Sequence, residues 1–486
     1  MNTRNNSTCF RLVVKFKDYL IPAELDEPEI NYFFSQRHRK LWRQLVELLP
    51  EVKIRTLFNT VSPSQVRRLM KKASQLNALY QPPDFFSYFS IDWTREINPE
   101  DVLRIFKKCK NLELAYLQYG SIFPPSVGKA ESSNFYQTHL NPAPHGINAK
   151  YAWTIEGGDG AGKVAFIDVE QGWISNHESI FLNTLPDSGI NCGMYSDHGV
   201  AVLGIIMMRE NNSGGLGITP QVNGSIVSQW RPDRRLNTAD AIMTAVQHLS
   251  FGDILLLEAQ TSEIDAPASF WPVEMEDAVY HTIELATALG ITVIEAAGNG
   301  KNRYEGNDLD LFESNGKKIL KPNGIGYRDS GAILVAAATS TAPHFRKSNS
   351  NYGSRIDCYA AGENVFTAGN YPRSSRWATN LYTYSFNGTS SAAAIVAGAA
   401  ISIQSIVETN FGRRLNPKEM RDLLGSAFYN THSANGLEKD KIGVMPDLKK
   451  IITDAFRIKP ATSNIEKIAQ QEKEQVIKNH IQHYAN

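Results

Sequence analysis

Apolar and polar positions form a regular series over the first 120 residues. Short apolar runs at 12–16, 53–59, 86–93 and 112–118 are typical of strands. Between them, apolar residues recur at helical spacing over 35–50, 62–72 and 102–110. The order β-α-β-α-β-α-β predicts one sheet with helices on one face. We therefore expect a small α+β (ferredoxin-like) domain over residues 1–120.

The pattern changes further along the chain. Residues 121–145 are rich in proline, serine and asparagine, which is typical of a linker. From 146 to 456, short buried strands alternate with helices. This alternation predicts a mostly parallel central sheet covered by helices on both faces, a three-layer α/β domain. Residues 457–486 are polar and predict a peripheral helical tail.

Composition limits the classes of partner that the chain is expected to bind and the compartment in which it is expected. The 486 residues carry 50 basic and 50 acidic side chains, so bulk charge favours neither a nucleic acid nor a membrane surface. The four cysteines form no C-x-x-C pair, which argues against a zinc site and a disulfide-rich module. The amino terminus lacks the pattern of a secretory signal. We expect a cytoplasmic protein, or one exported by a route without such a signal.

Four polar residues stand at the ends of predicted elements. Asp168 ends a buried strand, His198 opens an apolar helix, and Asn299 lies in the turn after another strand. Ser390 follows an Asn-Gly turn and begins a helix of small residues. Taken singly, each has an ordinary structural explanation, such as a turn aspartate or a helix N-cap. Together they would meet at the carboxyl edge of the sheet, where sites in open α/β folds lie.

The sequences around these residues carry a resemblance. The motifs are Val-Ala-Phe-Ile-Asp at 164–168, His-Gly-Val-Ala-Val-Leu-Gly at 198–204, Ala-Ala-Gly-Asn at 296–299 and Asn-Gly-Thr-Ser at 387–390. In this order they resemble the subtilisin-like serine peptidases, or subtilases, over residues of about 140 to 456. The resemblance implies Ser390 as nucleophile, His198 as general base, Asp168 as the carboxylate that orients it, and Asn299 as oxyanion donor.

Nearby residues of the same types are rivals for these roles, although the motifs disfavour them. Glu170 and Asp197 could replace Asp168, His177 could replace His198, and Ser391 could replace Ser390.

The resemblance also implies a specificity pocket and no cofactor. Its walls would contain Glu258, Ala259, Gln260, Ala297 and Gly298. Glu258 could point into the pocket and favour a basic residue at the cleavage site, or point into the fold and pair with a structural partner. The loop at Asn211 resembles a calcium loop of the family, but Ser179 stands where its aspartate is expected, so we predict no metal.

The expected function is a serine endopeptidase that hydrolyses protein or peptide substrates. The amino-terminal domain resembles a subtilase propeptide, so we expect it to dock on the catalytic domain of a zymogen that cleaves itself between about Tyr119 and Thr138. A permanent amino-terminal domain is the alternative. A catalytically silent scaffold is the rival function. A serine esterase is disfavoured because residues 388–392 lack the last glycine of G-x-S-x-G.

Overall fold

The structure is a computed structural model that describes residues 10–17, 27–93, 97–118, 137–211, 215–263, 266–301, 304–314, 316–369 and 379–460. Most of the predicted linker, 121–136, and most of the predicted tail, 461–486, lie outside the described residues.

A four-stranded antiparallel sheet forms the amino-terminal unit. Its strands are β1 (Phe10–Phe16), β2 (Ile54–Thr56), β3 (Tyr88–Trp93) and β4 (Leu112–Gln118), in the spatial order β2-β3-β1-β4. The helices are α1 (Glu27–Arg37), α2 (Arg39–Leu48), α3 (Pro63–Leu76) and α4 (Pro99–Lys107). The helix predicted over 35–50 corresponds to α2, whereas α1 was not predicted, and the chain breaks between the two helices at His38. The remaining strands and helices lie within a few residues of their predicted positions.

An eight-stranded sheet forms the core of the larger unit. Its strands are β5 (Ala165–Glu170), β6 (Asn223–Ser228), β7 (Ile254–Leu257), β10 (Thr292–Ala296), β11 (Ile333–Ala338), β12 (Cys358–Ala361), β15 (Thr431–His432) and β16 (Val444–Met445). They lie in the order β15-β16-β12-β11-β10-β7-β5-β6, and every described pairing except that of β15 with β16 is parallel. Two hairpins stand beside this sheet, β8 (Gln260–Glu263) with β9 (Ala266–Pro272), and β13 (Val365–Gly369) with β14 (Leu381–Phe386).

Helices cover both faces of the eight-stranded sheet. They are α5 (Ala149–Ala152), α6 (Ser196–Met207), α7 (Thr238–His248), α8 (Asp277–Ala288), α9 (Thr389–Phe411), α10 (Pro417–Leu424), α11 (Leu437–Asp440) and α12 (Leu448–Lys450). The apolar side chains of α6 and α9 share one core with one face of the sheet, and those of α7 and α8 share another core with the opposite face. This is the expected three-layer α/β architecture.

Helix α9 is long and apolar enough to cross a membrane by length and composition alone, but its most apolar window is wholly buried inside the molecule. It serves here as the central core helix, and it places Ser390 in its first turn.

The amino-terminal sheet packs on the outer side of α7 and α8. One apolar core contains Val13 and Tyr88 of that sheet, residues of α3, and residues of both α7 and α8. Polar contacts surround it. Buried Asp240 in α7 accepts hydrogen bonds from the backbone N–H groups of Asn59, at 3.0 Å, and Thr60, at 3.2 Å. Arg235 Nη1 lies 2.6 Å from Asp92 Oδ2 in β3.

Candidate active site

The carboxyl ends of two neighbouring strands bring three acidic residues together. Ile167, Val169 and Leu257 face the core that contains α7 and α8. Because strand side chains alternate, Asp168 and Glu170 of β5 face the opposite side, where α6 and α9 lie. Val169 is the register partner of Leu257, so Glu258, the next residue, lies beside Glu170 on that same face.

Histidine 198 enters this face from the first turn of α6. Its Nδ1 atom lies 2.6 Å from Glu170 Oε1, and both side chains are buried. Glu170 also accepts a hydrogen bond at 3.2 Å from the backbone N–H of Gln171. Phe386 packs edge-on against the imidazole ring with ring centroids 5.4 Å apart. The other ring nitrogen, Nε2, is buried and has no hydrogen-bond partner among the described residues.

The expectation that Asp168 hydrogen-bonds His198 is therefore corrected. Asp168 is completely buried, and neither of its carboxyl oxygens has a hydrogen-bond partner within the described part of the chain. Glu170 lies two residues further along the same face, closer to the strand end, and its longer side chain reaches the imidazole. The rival that the motifs disfavoured thus occupies the position opposite Nδ1.

Burial raises the pKa of all three carboxyl groups. For Asp168 the largest cause is desolvation, followed by the negative charge of Glu170. For Glu170 it is also desolvation, opposed by the Gln171 N–H and reinforced by Asp197. Desolvation likewise lowers the pKa of His198 to about 4, although Asp197 acts in the other direction. The imidazole is consequently neutral near pH 7, the state in which it can accept a proton.

Glu258 belongs to this cluster more than to an open pocket. It is only 6% exposed, and neither carboxyl oxygen has a hydrogen bond of good geometry to a described residue. Desolvation, then the charges of Glu170 and Asp168, raise its pKa well above the ordinary value, while the Ser390 hydroxyl facing it acts to lower that pKa. Among the described residues Glu258 has no ion-pair partner, and its role toward substrate stays a prediction.

Serine 390 lies at the amino-terminal end of α9, where unpaired backbone N–H groups and the helix dipole favour negative charge. Gly388, which precedes the helix, has a φ of 88°, and a Cβ there would lie 2.8 Å from Asn299 Oδ1. Glycine is therefore required at this turn. The rival Ser391 is fully buried, and its hydroxyl donates to the carbonyl oxygen of Ala361 at 2.9 Å.

The remaining rival histidine is held elsewhere. His177 Nε2 lies 2.9 Å from the carbonyl oxygen of Leu381 in β14, and its ring packs against Tyr382.

The side-chain amide of Asn299 is held between two segments. Its Oδ1 accepts a hydrogen bond from the Thr389 N–H at 3.0 Å, one residue before Ser390. Its Nδ2 donates to Gln260 Oε1 at 3.2 Å, and the backbone N–H of Asn299 donates to the same oxygen at 3.3 Å. Sequence reasoning placed Gln260 in the pocket wall and missed this contact, which depends on the β8–β9 hairpin.

The other predicted pocket residues lie around this amide. Ala259 and Ala297 are buried, and Gly298 has a φ of 90°. A Cβ on Gly298 would lie 2.8 Å from Asn351 Nδ2, so a larger residue at this turn would clash with the Asn351 side chain.

Asn211, at the start of the loop that resembles a calcium site, is hydrogen-bonded to side chains of other segments. Asn211 Nδ2 lies 2.8 Å from Glu178 Oε1 and from the hydroxyl oxygens of Ser179 and Tyr382. Within the described ranges, no group of three or more histidine, cysteine, aspartate or glutamate side chains could hold a metal ion. Because protons of the amide and of Tyr382 lie between these oxygens, the set does not fit a cation well.

Comparison with known proteins agrees with this geometry. The family model described as "Subtilase family" matches residues 177–444, more than half of the chain. This chain belongs to the subtilase family. Subtilisin DY of Bacillus licheniformis is 27% identical over 233 residues, which are 48% of this chain and 70% of that protein. The chain is accordingly a subtilisin-like serine peptidase. The family match begins after Asp168 and Glu170, so it does not decide between these two carboxyl groups.

Two similar solved structures are also proteases, and the one with the higher TM-score supports the subtilase fold. Fervidolysin from Fervidobacterium pennivorans, described as a keratinolytic enzyme related to subtilisin, is 14% identical with a TM-score of 0.52. That comparison covers 95% of this chain and 63% of fervidolysin. A protease from Pseudoalteromonas arctica is 19% identical with a TM-score of 0.45, covering 66% of this chain and 97% of the other.

Proposed function

We propose that this subtilase is a serine endopeptidase in which Ser390 is the nucleophile, His198 the general base and Glu170 the carboxylate that orients His198. The observation that supports it best is the buried 2.6 Å contact between His198 Nδ1 and Glu170 Oε1. It leaves Nε2 as the basic nitrogen, and that nitrogen has no competing partner among the described side chains. Asp168, behind Glu170, is proposed to be a neutral acid.

The reaction follows from these positions. Ser390 Oγ attacks the peptide carbonyl carbon while its proton moves to His198 Nε2. In the imidazolium that forms, the Nδ1–H donates a hydrogen bond to Glu170, and the negative charge of Glu170 stabilises the cation. His198 then protonates the leaving amine, which breaks the peptide bond and leaves an acyl ester on Ser390. Water, deprotonated by His198, hydrolyses the ester and restores the serine hydroxyl.

The carbonyl oxygen becomes negative in both steps and requires hydrogen-bond donors. Asn299 Nδ2 and the backbone N–H of Ser390, at the start of α9, are proposed to supply them. One such donor contributes about 3–4 kcal/mol to stabilising the transition state. The backbone N–H of Thr389 donates to Asn299 Oδ1, so this hydrogen bond holds the Asn299 amide beside the turn that carries the Ser390 N–H.

The amino-terminal domain is proposed to make the full chain a zymogen. Its contacts with α7 and α8 are extensive, and its last strand also reaches the catalytic domain. Gln118 Nε2 donates to Glu276 Oε2 at 2.7 Å, and Thr261 of β8 donates to the other oxygen of Glu276 at 2.7 Å. The chain would therefore leave the amino-terminal sheet beside the hairpin that contacts Asn299. The proposed cleavage region begins at Tyr119, and residues 119–136 lie outside the described part of the chain.

A fluorophosphonate probe tests the nucleophile and separates the peptidase from a silent scaffold. We expect the purified protein to be labelled at Ser390, the Ser390→Ala variant to be unlabelled, and the matched Ser391→Ala variant to keep its label. Intact mass measurement of wild type beside Ser390→Ala then tests the zymogen: the wild type should be cut in the region 119–138, and Ser390→Ala should stay whole. An unlabelled wild type would contradict the peptidase, and a labelled, active chain with an intact amino terminus would contradict the zymogen alone.

A further inference from the structure

The amide of Asn299 can present only one orientation in this structure. Its Oδ1 faces the N–H of Thr389, and its Nδ2 faces Gln260 Oε1. Rotating the amide by 180° would place two donors together at Thr389 and two acceptors together at Gln260. Both contacts would then become repulsive, so the two neighbours select the same orientation.

The orientation of Gln260 is fixed in turn by the main chain. Its Oε1 also accepts a hydrogen bond from the backbone N–H of Asn299, at 3.3 Å, and a backbone N–H can only donate. If the Gln260 amide were rotated, its NH₂ group would meet that N–H. One backbone group therefore fixes the orientation of the glutamine, and the glutamine and the Thr389 N–H together fix that of the asparagine amide.

The hairpin that carries Gln260 is tied to the same turn. Gln260 begins β8, whose partner β9 contains Phe270, and the Phe270 N–H donates to the Gly300 carbonyl at 2.8 Å. Asn351 Nδ2 donates to the carbonyl oxygens of Phe270, at 2.8 Å, and Ala297, at 2.6 Å. The turn from Ala297 to Gly300 is thus held on both sides of Asn299, and Gln260 is the side chain that reaches the Asn299 amide from the hairpin.

A side-chain amide nitrogen carries two hydrogen atoms. Asn299 Nδ2 donates one of its two hydrogen atoms to Gln260 Oε1, and no described residue accepts the second. We propose that Gln260 is a positioning residue that holds the Asn299 amide with this second N–H directed at the oxyanion. This inference rests on the proposed role of Asn299 and adds the residue that fixes its geometry.

The proposal differs from a role in the specificity pocket, and steady-state kinetics distinguish the two. A pocket residue acts on substrate binding, whether or not Asn299 is present. A positioning residue acts through Asn299, so its removal should lower kcat with little change in KM, and should have no effect once Asn299 is gone.

The experiment is a double-mutant cycle with the active protein obtained from the full-length chain. Gln260→Met keeps the length of the side chain and removes the acceptor. Asn299→Ala removes the donor, and both together complete the cycle. Ser262→Ala is the matched control, because Ser262 lies on the same strand and its buried hydroxyl has no hydrogen-bond partner in the described structure. Each variant is titrated with a fluorophosphonate, so that rates refer to folded, reactive protein.

We expect Asn299→Ala to lower kcat by about 10²–10³-fold. Gln260→Met should lower kcat by about three- to tenfold, the size of one net hydrogen bond, with KM nearly unchanged. In the Asn299→Ala background, Gln260→Met should have no further effect. Binding of a peptide aldehyde, whose hemiacetal oxygen imitates the oxyanion, should weaken by the same factor as kcat, while Ser262→Ala should match the wild type.

The possible failures point to different errors. If Asn299→Ala leaves kcat unchanged, the assignment of the oxyanion donor is wrong and the positioning role falls with it. If Asn299→Ala has its expected effect but Gln260→Met changes only KM, or the two effects multiply fully, Gln260 lines the pocket and does not position Asn299.

Discussion

Replacing Glu170 by glutamine removes the charge opposite His198 Nδ1 while keeping the length and volume of the side chain. The 2.6 Å separation is in the short range of charge-assisted hydrogen bonds. In the transition state the imidazole becomes a buried cation, and the structure places this carboxyl group directly on its Nδ1 atom. The oxygen of a glutamine amide could still accept a hydrogen bond from the Nδ1–H. Its NH₂ group could instead donate to Nδ1, which would favour the wrong tautomer of the imidazole.

The expected loss in kcat is about 10⁴-fold, which is the size found when the orienting carboxylate of other triad proteases is replaced by an amide. KM should change little, because Glu170 is buried behind the imidazole and touches no substrate. Asp168→Asn is the matched comparison. It also replaces a buried carboxyl by an amide on the same strand face, but neither oxygen of Asp168 is bonded to the imidazole or to any other described group. We expect Asp168→Asn to lower kcat by less than about tenfold.

Thermal stability provides a second measurement for Asp168→Asn. The substitution should lower kcat slightly but raise the unfolding temperature near neutral pH and above. Burial raises the pKa of Asp168, so the folded state resists ionisation of a group that ionises freely when unfolded. The group costs no stability below its ordinary pKa range, where both states are protonated, and lowers stability as the pH rises above that range. Asp168→Asn should therefore unfold at a higher temperature than the parent at pH 8 and near the same temperature at pH 3. Both chains should carry Ser390→Ala to prevent self-digestion.

The assay is initial rates on a chromogenic peptide, corrected for active sites by fluorophosphonate titration. The decisive quantity is the ratio of the two kcat losses. If Asp168→Asn abolishes turnover and Glu170→Gln keeps it, Asp168 orients the histidine as the family motif implied, and the contact drawn here between His198 and Glu170 does not describe the working enzyme.

Two further predictions concern other residues of the structure. Glu258→Gln should leave the acid limb of the kcat/KM profile in place, because burial raises the pKa of Glu258 and a neutral carboxyl group carries the same charge as a glutamine amide; a limb that moves to lower pH would show that Glu258 is ionised beside Glu170. Thr60→Val should speed activation of the full-length chain, because the Thr60 hydroxyl donates to Asp240 across the domain contact and such bonds to charged groups contribute about 1.5–3 kcal/mol. Peptide hydrolysis followed over time measures activation, with Ser64→Ala, at an exposed position near the start of α3, as control. Equal time courses for all three chains would contradict the prediction.

Much of the fold follows from the pattern of apolar residues along the chain. Short apolar runs in β1 and β3 and a 3.6-residue repeat in α3 and α4 predicted the amino-terminal sheet and its helices. The break at His38 was not predicted, because the apolar spacing continues through it. The strands of the larger sheet are buried on both faces and therefore appear as continuous apolar runs, which indicated a parallel sheet.

The site was predictable in its chemistry and less so in its contacts. The motifs selected His198, Ser390 and Asn299, and their catalytic roles stay predictions. They could not select between Asp168 and Glu170, since alternation places both on the same face and only the position of α6 decides which one reaches the ring. The Gln260 contact was equally hidden, because it depends on how the β8–β9 hairpin folds back on a turn almost forty residues away.

Three acids around one histidine raise the question of which of them carries the negative charge. Repulsion and burial favour a single charge in the cluster, and it will reside where N–H donors stabilise it. Asp168 has no hydrogen-bond donor among the described groups, and Glu258 faces only the hydroxyl of Ser390. Glu170 has two N–H partners, the backbone of Gln171 and the imidazole. When His198 gains a proton, its positive charge adds to this preference. We therefore expect the negative charge to be on Glu170 when the imidazolium forms, with the other two acids neutral.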